Sequence, residues 1–410
     1  LFIAVLLIIS SLDFSLGILP CILVKDAPRF SYRGFLIDAG RYYLPLKDVK
    51  KAIDLAANYK LNRFHWHLTD DQGWRLEIKK YPRLTEKGSV RSNSAIGTWD
   101  QYYPRHYDGK EHSGYYTQDE IRDIVRYAAD RQITIVPEIE MPGHALAALS
   151  VYPEYACSFH SSLDLMAGAG ISDQVYCPKP QTFRFIKDIL TEIASLFPGE
   201  YIHIGGDEAH GNHWANSQSI RSLKNSLGIT ENFELQIWYF NQINKYLNEK
   251  GRKMMGWSDM AGPVGVASKM AVDMPGAISQ YWAGSVDVLN HSLRLGFKVV
   301  QSHTDFAYFN AGLQNAYLTS CIPERVDATK VKNIIGFEAS CWSEWDSTLE
   351  KTFDHIFPRI AAYAETAWSK QSAKDYTNFK YRLSPMWDLW KARGIYVGGM
   401  DEKNYPGPGW

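Results

Sequence analysis

The chain has 410 residues, 45% of them hydrophobic and 14% aromatic, with a formal net charge of −1. This composition supports a large core, and the lack of a basic block argues against a nucleic-acid partner. The length exceeds a usual single domain, but α/β barrels run this long as one unit.

Residues 1–9, LFIAVLLII, are apolar and run into SSLDFSLG. The stretch reads either as the apolar core of a secretory signal or as a buried element left from an upstream domain. It is too short for a stable membrane span, and Asp13 interrupts it. Residues 1–27 are therefore expected to be a signal-like or residual upstream segment, and 28–410 one barrel domain with a C-terminal helix. A secreted, lysosomal or periplasmic location is the matching expectation.

From residue 32 onward, short apolar runs alternate with amphipathic stretches. Strands are predicted over 32–39, 62–70, 134–141, 201–208, 253–259, 277–283, 298–309 and 334–344. Helices are predicted over 46–60, 117–132, 179–197, 233–251, 285–297 and 353–368. Strand–helix alternation argues for a parallel sheet, and eight strands argue for a closed (β/α)8 TIM barrel. Five cysteines, at 21, 157, 177, 321 and 341, match no zinc spacing. Cys157 and Cys177 flank a Ser/Gly-rich loop and could staple it or remain free thiols. One glycosylation sequon occurs, Asn290-His291-Ser292.

In such a barrel the active face lies at the strand C-termini. The first predicted strand ends in Asp38 and Arg41, and the second in Asp70 and Asp71. The third runs into Glu138, Glu140 and His144, and the fourth into the adjacent pair Asp207 and Glu208. The fifth and sixth end in Trp257 and Trp282. The seventh carries Tyr308 and Asn310, and the eighth Trp342 and Glu344. Helix capping would explain one acid at a strand end, but not acids at so many. Large rings that stack on a pyranose face, with acids and an Arg for its hydroxyls, suit a carbohydrate partner. His65 and His67 have the HxH spacing of metal-dependent barrel hydrolases, but later strand ends complete no ligand set. They are read as hydrogen-bonded core histidines, with neither metal nor cofactor expected.

The segments DAGRYYLPL, NRFHWHLTDDQGWRLEIKKYPRLTEKGS, EIEMPGHA, HIGGDEAH and CWSEW, in order over about 28–370, closely resemble the β-N-acetylhexosaminidases of glycoside hydrolase family 20. The resemblance implies an exo-acting, retaining hydrolase of terminal β-linked GlcNAc or GalNAc. The small α/β domain that usually precedes this barrel is not in the sequence. Adjacent carboxylates cannot straddle a glycosidic bond, as the two acids of ordinary retaining glycosidases do, and this family is a substrate-assisted exception. The resemblance implies that the substrate's own acetamido oxygen attacks, forming an oxazolinium. It makes Glu208 the general acid and then base, and Asp207 the group that orients the acetamido N–H. Arg41 and Glu344 would hold ring hydroxyls, with Asp70 and His144 as polar partners of the acid. Trp257, Trp282 and Trp342 would wall the pocket, and Tyr308 would donate to the acetamido oxygen. Asn310 falls where the family shows Asp or Asn, which leaves the treatment of the sugar's 4- and 6-positions open. A non-catalytic sugar-binding barrel, the competing reading, predicts loss of Asp207 or Glu208, and both are present. Oligomeric state is left open.

Overall fold

Eight parallel strands close on one another in chain order: β1 (Tyr32–Asp38), β2 (Arg63–His67), β3 (Thr134–Glu138), β4 (Tyr201–His203), β5 (Lys253–Trp257), β6 (Ile278–Tyr281), β7 (Lys298–Gln301) and β8 (Ile334–Cys341), with β8 pairing back onto β1. This is the expected (β/α)8 barrel, seen here in a computed structural model that describes residues 26–98, 105–158, 164–346, 348–392 and 394–395. Of the signal-like or residual upstream segment expected at 1–27, residues 1–25 lie outside the described residues.

Strand parity decides what fills the barrel. Tyr32, Val136, Met255, Ile278 and Val300 form an apolar layer at its base. Above them lies a buried polar layer. Glu338 accepts from the Tyr32 hydroxyl (2.5 Å) and the Gln280 amide (2.7 Å) and lies 2.7 Å from His65 Nδ1. His65 Nε2 in turn lies 2.9 Å from Glu138. Every polar group in this layer needs a partner, because an unpaired buried one costs about 1–3 kcal/mol. His65 and His67 do point to one face and are fully buried, as the HxH spacing predicts.

The outer helices include α1 (Leu46–Asn58), α2 (Gln118–Ala129), α3 (Pro180–Leu196), α4 (Asn232–Glu249) and α5 (Val286–Arg294). Thr117 and Glu120 form a reciprocal capping box that starts α2. Pro180 stands at the first turn of α3, where its missing N–H is harmless. The predicted single helix over 353–368 is two, α6 (Leu349–Ile356) and α7 (Arg359–Trp368). Pro358 causes the break. It offers no N–H and pushes Phe357 into extended backbone, φ −100° and ψ 135°. The chain then forms α8 (Tyr376–Ala392).

Two other expectations change: the predicted fourth strand ends at His203 rather than 208, and the seventh at Gln301 rather than 309. His303 caps a helical turn over Thr304–Ala307, accepting the Asp305 N–H (3.2 Å), and Tyr308 then bridges back to Ser340. The sequon Asn290 sits on α5 with its side chain engaged: it donates to the Arg325 carbonyl (3.0 Å) and accepts the Asp327 N–H (3.1 Å). Cys157 and Cys177 are joined in a disulfide, so the loop between them is stapled. Among the described residues, no helix is long and apolar enough to cross a membrane.

Candidate active site

The loop after β4 carries the carboxylate pair. Gly205 and Gly206 adopt φ +65° and +98°, and Glu208 itself φ +46°. Gly205 has a steric reason beyond its backbone. A Cβ there would overlap the Glu140 carboxylate, so only glycine lets that acid pass under the loop. The Gly205 N–H donates to His203 Nδ1 (3.0 Å), tying the loop to the barrel's polar layer.

His144, on the loop after β3, sits behind the pair. Its Nε2 lies 3.3 Å from Glu208 Oε2 and 3.7 Å from Asp207 Oδ2. Its Nδ1 faces Asp70 at 3.2 Å and Asp71 at 3.4 Å. Burial alone would lower the imidazole's pKa. Asp70, Asp71 and Glu208 outweigh it and hold the ring well above the usual histidine range. Asp207 moves the other way. Burial, then the charges of Glu140 and Glu208, push its carboxyl well above the usual range, with His144 opposing.

Arg41 anchors the far wall. It pairs with Asp38 (3.2 Å) and Asp70 (3.0 Å), and its guanidinium lies 5.1 Å from the Trp342 ring. Asp38 also faces His67 (2.9 Å) and accepts the Ser343 N–H (3.1 Å), so β1, β2 and β8 converge on one buried carboxylate. Despite its burial, Arg41 and His67 hold it below the usual carboxylate range. Glu344 is raised to about 7 by burial, with Arg41 opposing. Glu140 is raised to about 8 by burial and by Glu138.

One pocket collects Arg41, Asp207, Glu208, Trp257, Trp282, Tyr308, Asn310, Trp342 and Glu344. The other two predicted site residues, Asp70 and His144, do not line it; they stand behind Arg41 and the carboxylates. Trp257 is the hub of the aromatic wall, 6.5 Å from the Trp282 ring and 5.8 Å from that of Trp342. Tyr308 stacks obliquely on Trp342 at 6.0 Å, and burial raises its phenol, so it remains a donor at neutral pH.

Sequence reasoning missed several participants. Asp259 accepts the Trp282 indole N–H (2.8 Å) and so fixes that ring. It falls inside a predicted strand, but the chain leaves β5 at Trp257. Ile171, Trp345, Asp346 and His355 also line the pocket. Ile171 comes from the disulfide-closed loop. Asp71 positions that loop by accepting the Ser172 N–H (2.9 Å) while accepting the Leu146 N–H (3.0 Å) with its other oxygen. The signal for Asp71 was present, since it adjoins Asp70, but its partners are about 75 and 101 residues away.

A closed parallel barrel with acids and tryptophans gathered at its strand C-termini defines the class of the barrel glycosidases. The chain belongs to glycosyl hydrolase family 20, whose catalytic-domain model matches residues 30–371. It is 38% identical over 383 residues to a β-hexosaminidase of Porphyromonas gingivalis, covering 89% of this chain and 46% of that protein. It is 35% identical over 371 residues to a β-hexosaminidase of Vibrio furnissii, covering 85% of this chain and 58% of that one. The chain thus spans about half the length of these curated relatives. Among solved structures, the β-N-acetylhexosaminidase of Bacteroides fragilis superposes with a TM-score of 0.83 at 29% identity, covering 99% of this chain and 81% of that one.

Proposed function

We propose that the protein is an exo-acting β-N-acetylhexosaminidase that removes terminal β-linked GlcNAc or GalNAc with retention, using the substrate's acetamido group as nucleophile. The observation that carries this reading is the shared wall of Asp207 and Glu208. Their carboxylates and the His144 imidazole present oxygen and nitrogen atoms all within 4.8 Å of one another. Both acids therefore act from one side of the pocket. The ordinary retaining pair stands about 5–5.5 Å apart across the scissile bond, with one member attacking the anomeric carbon.

The division of labour follows from the surroundings. Glu208, 3.3 Å from His144, donates a proton to the leaving oxygen and later takes one from water. Asp207 accepts the acetamido N–H, and the positive charge of the forming oxazolinium favours its ionised form against the burial that raises it. Tyr308 donates to the acetamido oxygen, while Trp257, Trp282 and Trp342 enclose the methyl and the ring. Arg41, a planar fork already held by Asp38 and Asp70, faces ring hydroxyls together with Glu344. Asn310 offers the sugar a neutral partner. The Cys157–Cys177 disulfide supports an oxidising location, hence a secreted, lysosomal or periplasmic protein.

The test is a comparison of aryl β-GlcNAc, aryl β-GalNAc and aryl β-glucoside on the purified protein. The glucoside keeps ring and leaving group but lacks the acetamide, and should be essentially inert. Comparable rates on the glucoside, or a covalent sugar ester trapped on an Asp or Glu, would overturn the mechanism.

A further inference from the structure

At the rim of the pocket stands a cluster that the glycosidase chemistry does not use. Along β8, Glu338 and Ser340 point into the barrel, where they bond His65 and Ser302. Strand parity therefore turns Cys341 outward, beneath α6. There its thiol meets the Asp346 carboxylate, from the turn after β8, and the His355 imidazole, from the last turn of α6. His355 Nδ1 lies 2.9 Å from Asp346 Oδ2, and one donor atom from each of the three residues lies within 4.8 Å of the other two. Cys341 is 2% exposed and forms no disulfide, and Asp346 is 6% exposed.

We propose that Cys341, Asp346 and His355 form a binding site for a thiophilic divalent cation of the zinc class, set in the wall of the sugar pocket. A thiolate, a carboxylate and an imidazole are the donor types zinc takes, and three protein ligands leave a fourth position for water. Zn–S near 2.3 Å and Zn–N or Zn–O near 2.0 Å place tetrahedral ligands roughly 3.3–3.6 Å apart. To hold an ion, His355 Nδ1 and Asp346 Oδ2, now 2.9 Å apart, would part slightly and the Cys341 thiol would close on them. The barrel-interior trio His65, Glu138 and His203 differs in access: all three are fully buried and Glu338 also engages His65, whereas Asp346 and His355 line the open pocket.

Binding replaces the thiol S–H bond with an S–metal bond and releases that proton to water. The ion then ties the end of β8, the turn that carries Glu344 and Trp345, and α6 into one unit. Asp346 and His355 line the pocket themselves. Occupancy should therefore slow sugar hydrolysis, an effect that rests on the glycosidase reading, whereas binding itself does not.

The experiment titrates the full chain with cadmium and zinc. Cadmium reports a thiolate ligand through its ultraviolet charge-transfer band, and native mass spectrometry counts zinc per chain. The wild type and Cys321→Ser, the control at the other free described cysteine, should each give the band and take up one zinc ion. Cys341→Ser should lose both, and His355→Gln should bind at least ~10-fold more weakly, since losing even an outer-shell partner of a ligand costs about that much. Zinc should slow aryl β-GlcNAc hydrolysis by the wild type and leave Cys341→Ser unaffected. A band that survives in Cys341→Ser, or none in the wild type at millimolar cadmium, would overturn the site. Stoichiometric zinc without any slowing would overturn its coupling to the pocket. If no glycoside is cleaved at all, the band still decides the binding.

Discussion

Placing a methyl group on Gly205 tests how the carboxylate pair is held. Two terms are separable. Gly205 sits at φ +65°, where a side chain costs about 1–2 kcal/mol. Its new Cβ would also fall on the Glu140 carboxylate, which is 3% exposed and whose other oxygen lies 3.2 Å from His67 Nε2. Overpacking of that kind costs typically about 1–3 kcal/mol, so Gly205→Ala should destabilise by roughly 2–5 kcal/mol in all. Lifting of the loop to relieve the overlap would carry Asp207 and Glu208 with it, and a displacement near 1 Å costs on the order of 10²-fold in rate. Gly228→Ala is the control. It has φ +70°, but nothing lies within 4 Å of its Cβ, so it carries the backbone term alone. Thermal melts and kcat on aryl β-GlcNAc are the assays. Gly205→Ala should lower Tm more than Gly228→Ala and should alone lose kcat. Equal losses in the two variants would refute the claim that Glu140 sets the height of the catalytic loop.

Glu208→Gln should lower kcat by about 10²–10⁴-fold, more for an unactivated disaccharide than for aryl leaving groups; an intact rate on the disaccharide would remove Glu208 as the acid. Asp207→Asn should weaken charge stabilisation by a few kcal/mol, and a cyclic thiazoline mimic should bind far tighter than substrate; equal affinities would count against an oxazolinium. Stability should fall as pH rises. Burial alone would lower His65, but Glu338 and Glu138 outweigh it and raise the group from 6.5 to about 9, so its stabilisation is full below 6.5 and lost through about 9. Glu140, raised from 4.5 to about 8, keeps its proton in the folded state, and stability from that proton is lost between those values. Melts of the wild type should therefore decline from pH 6 to 9, and Glu140→Gln should flatten part of the decline; a flat wild-type profile would contradict both shifts. Chelators should leave hydrolysis intact, since His65 and His67 already face carboxylates at 2.7–3.2 Å; loss of activity restored by zinc would say otherwise.

Much of this protein is legible in its sequence because the barrel is periodic. Parity and alternation place eight strands, and each strand end then names a candidate: Arg41 after β1, Asp207 and Glu208 after β4, Trp257 at the end of β5. The predicted strand over 201–208 runs through the two glycines and the acids, whereas β4 stops at His203 and the glycines turn the chain. What local chemistry cannot decide is which distant groups meet. Asp38 joins three strands through His67, Arg41 and the Ser343 N–H, the last 305 residues away. Asp259 becomes the clamp on Trp282 only because β5 stops at Trp257 and the chain bends. Tyr308 reaches the pocket by a return to Ser340, not by extending β7. Asp346 arrives on the turn after β8 and His355 on the last turn of α6, and Cys341 meets them from a strand face that points away from the barrel. These pairings are long-range, and closure of the sheet creates them. They have no period in the sequence, and so only the tertiary structure decided them.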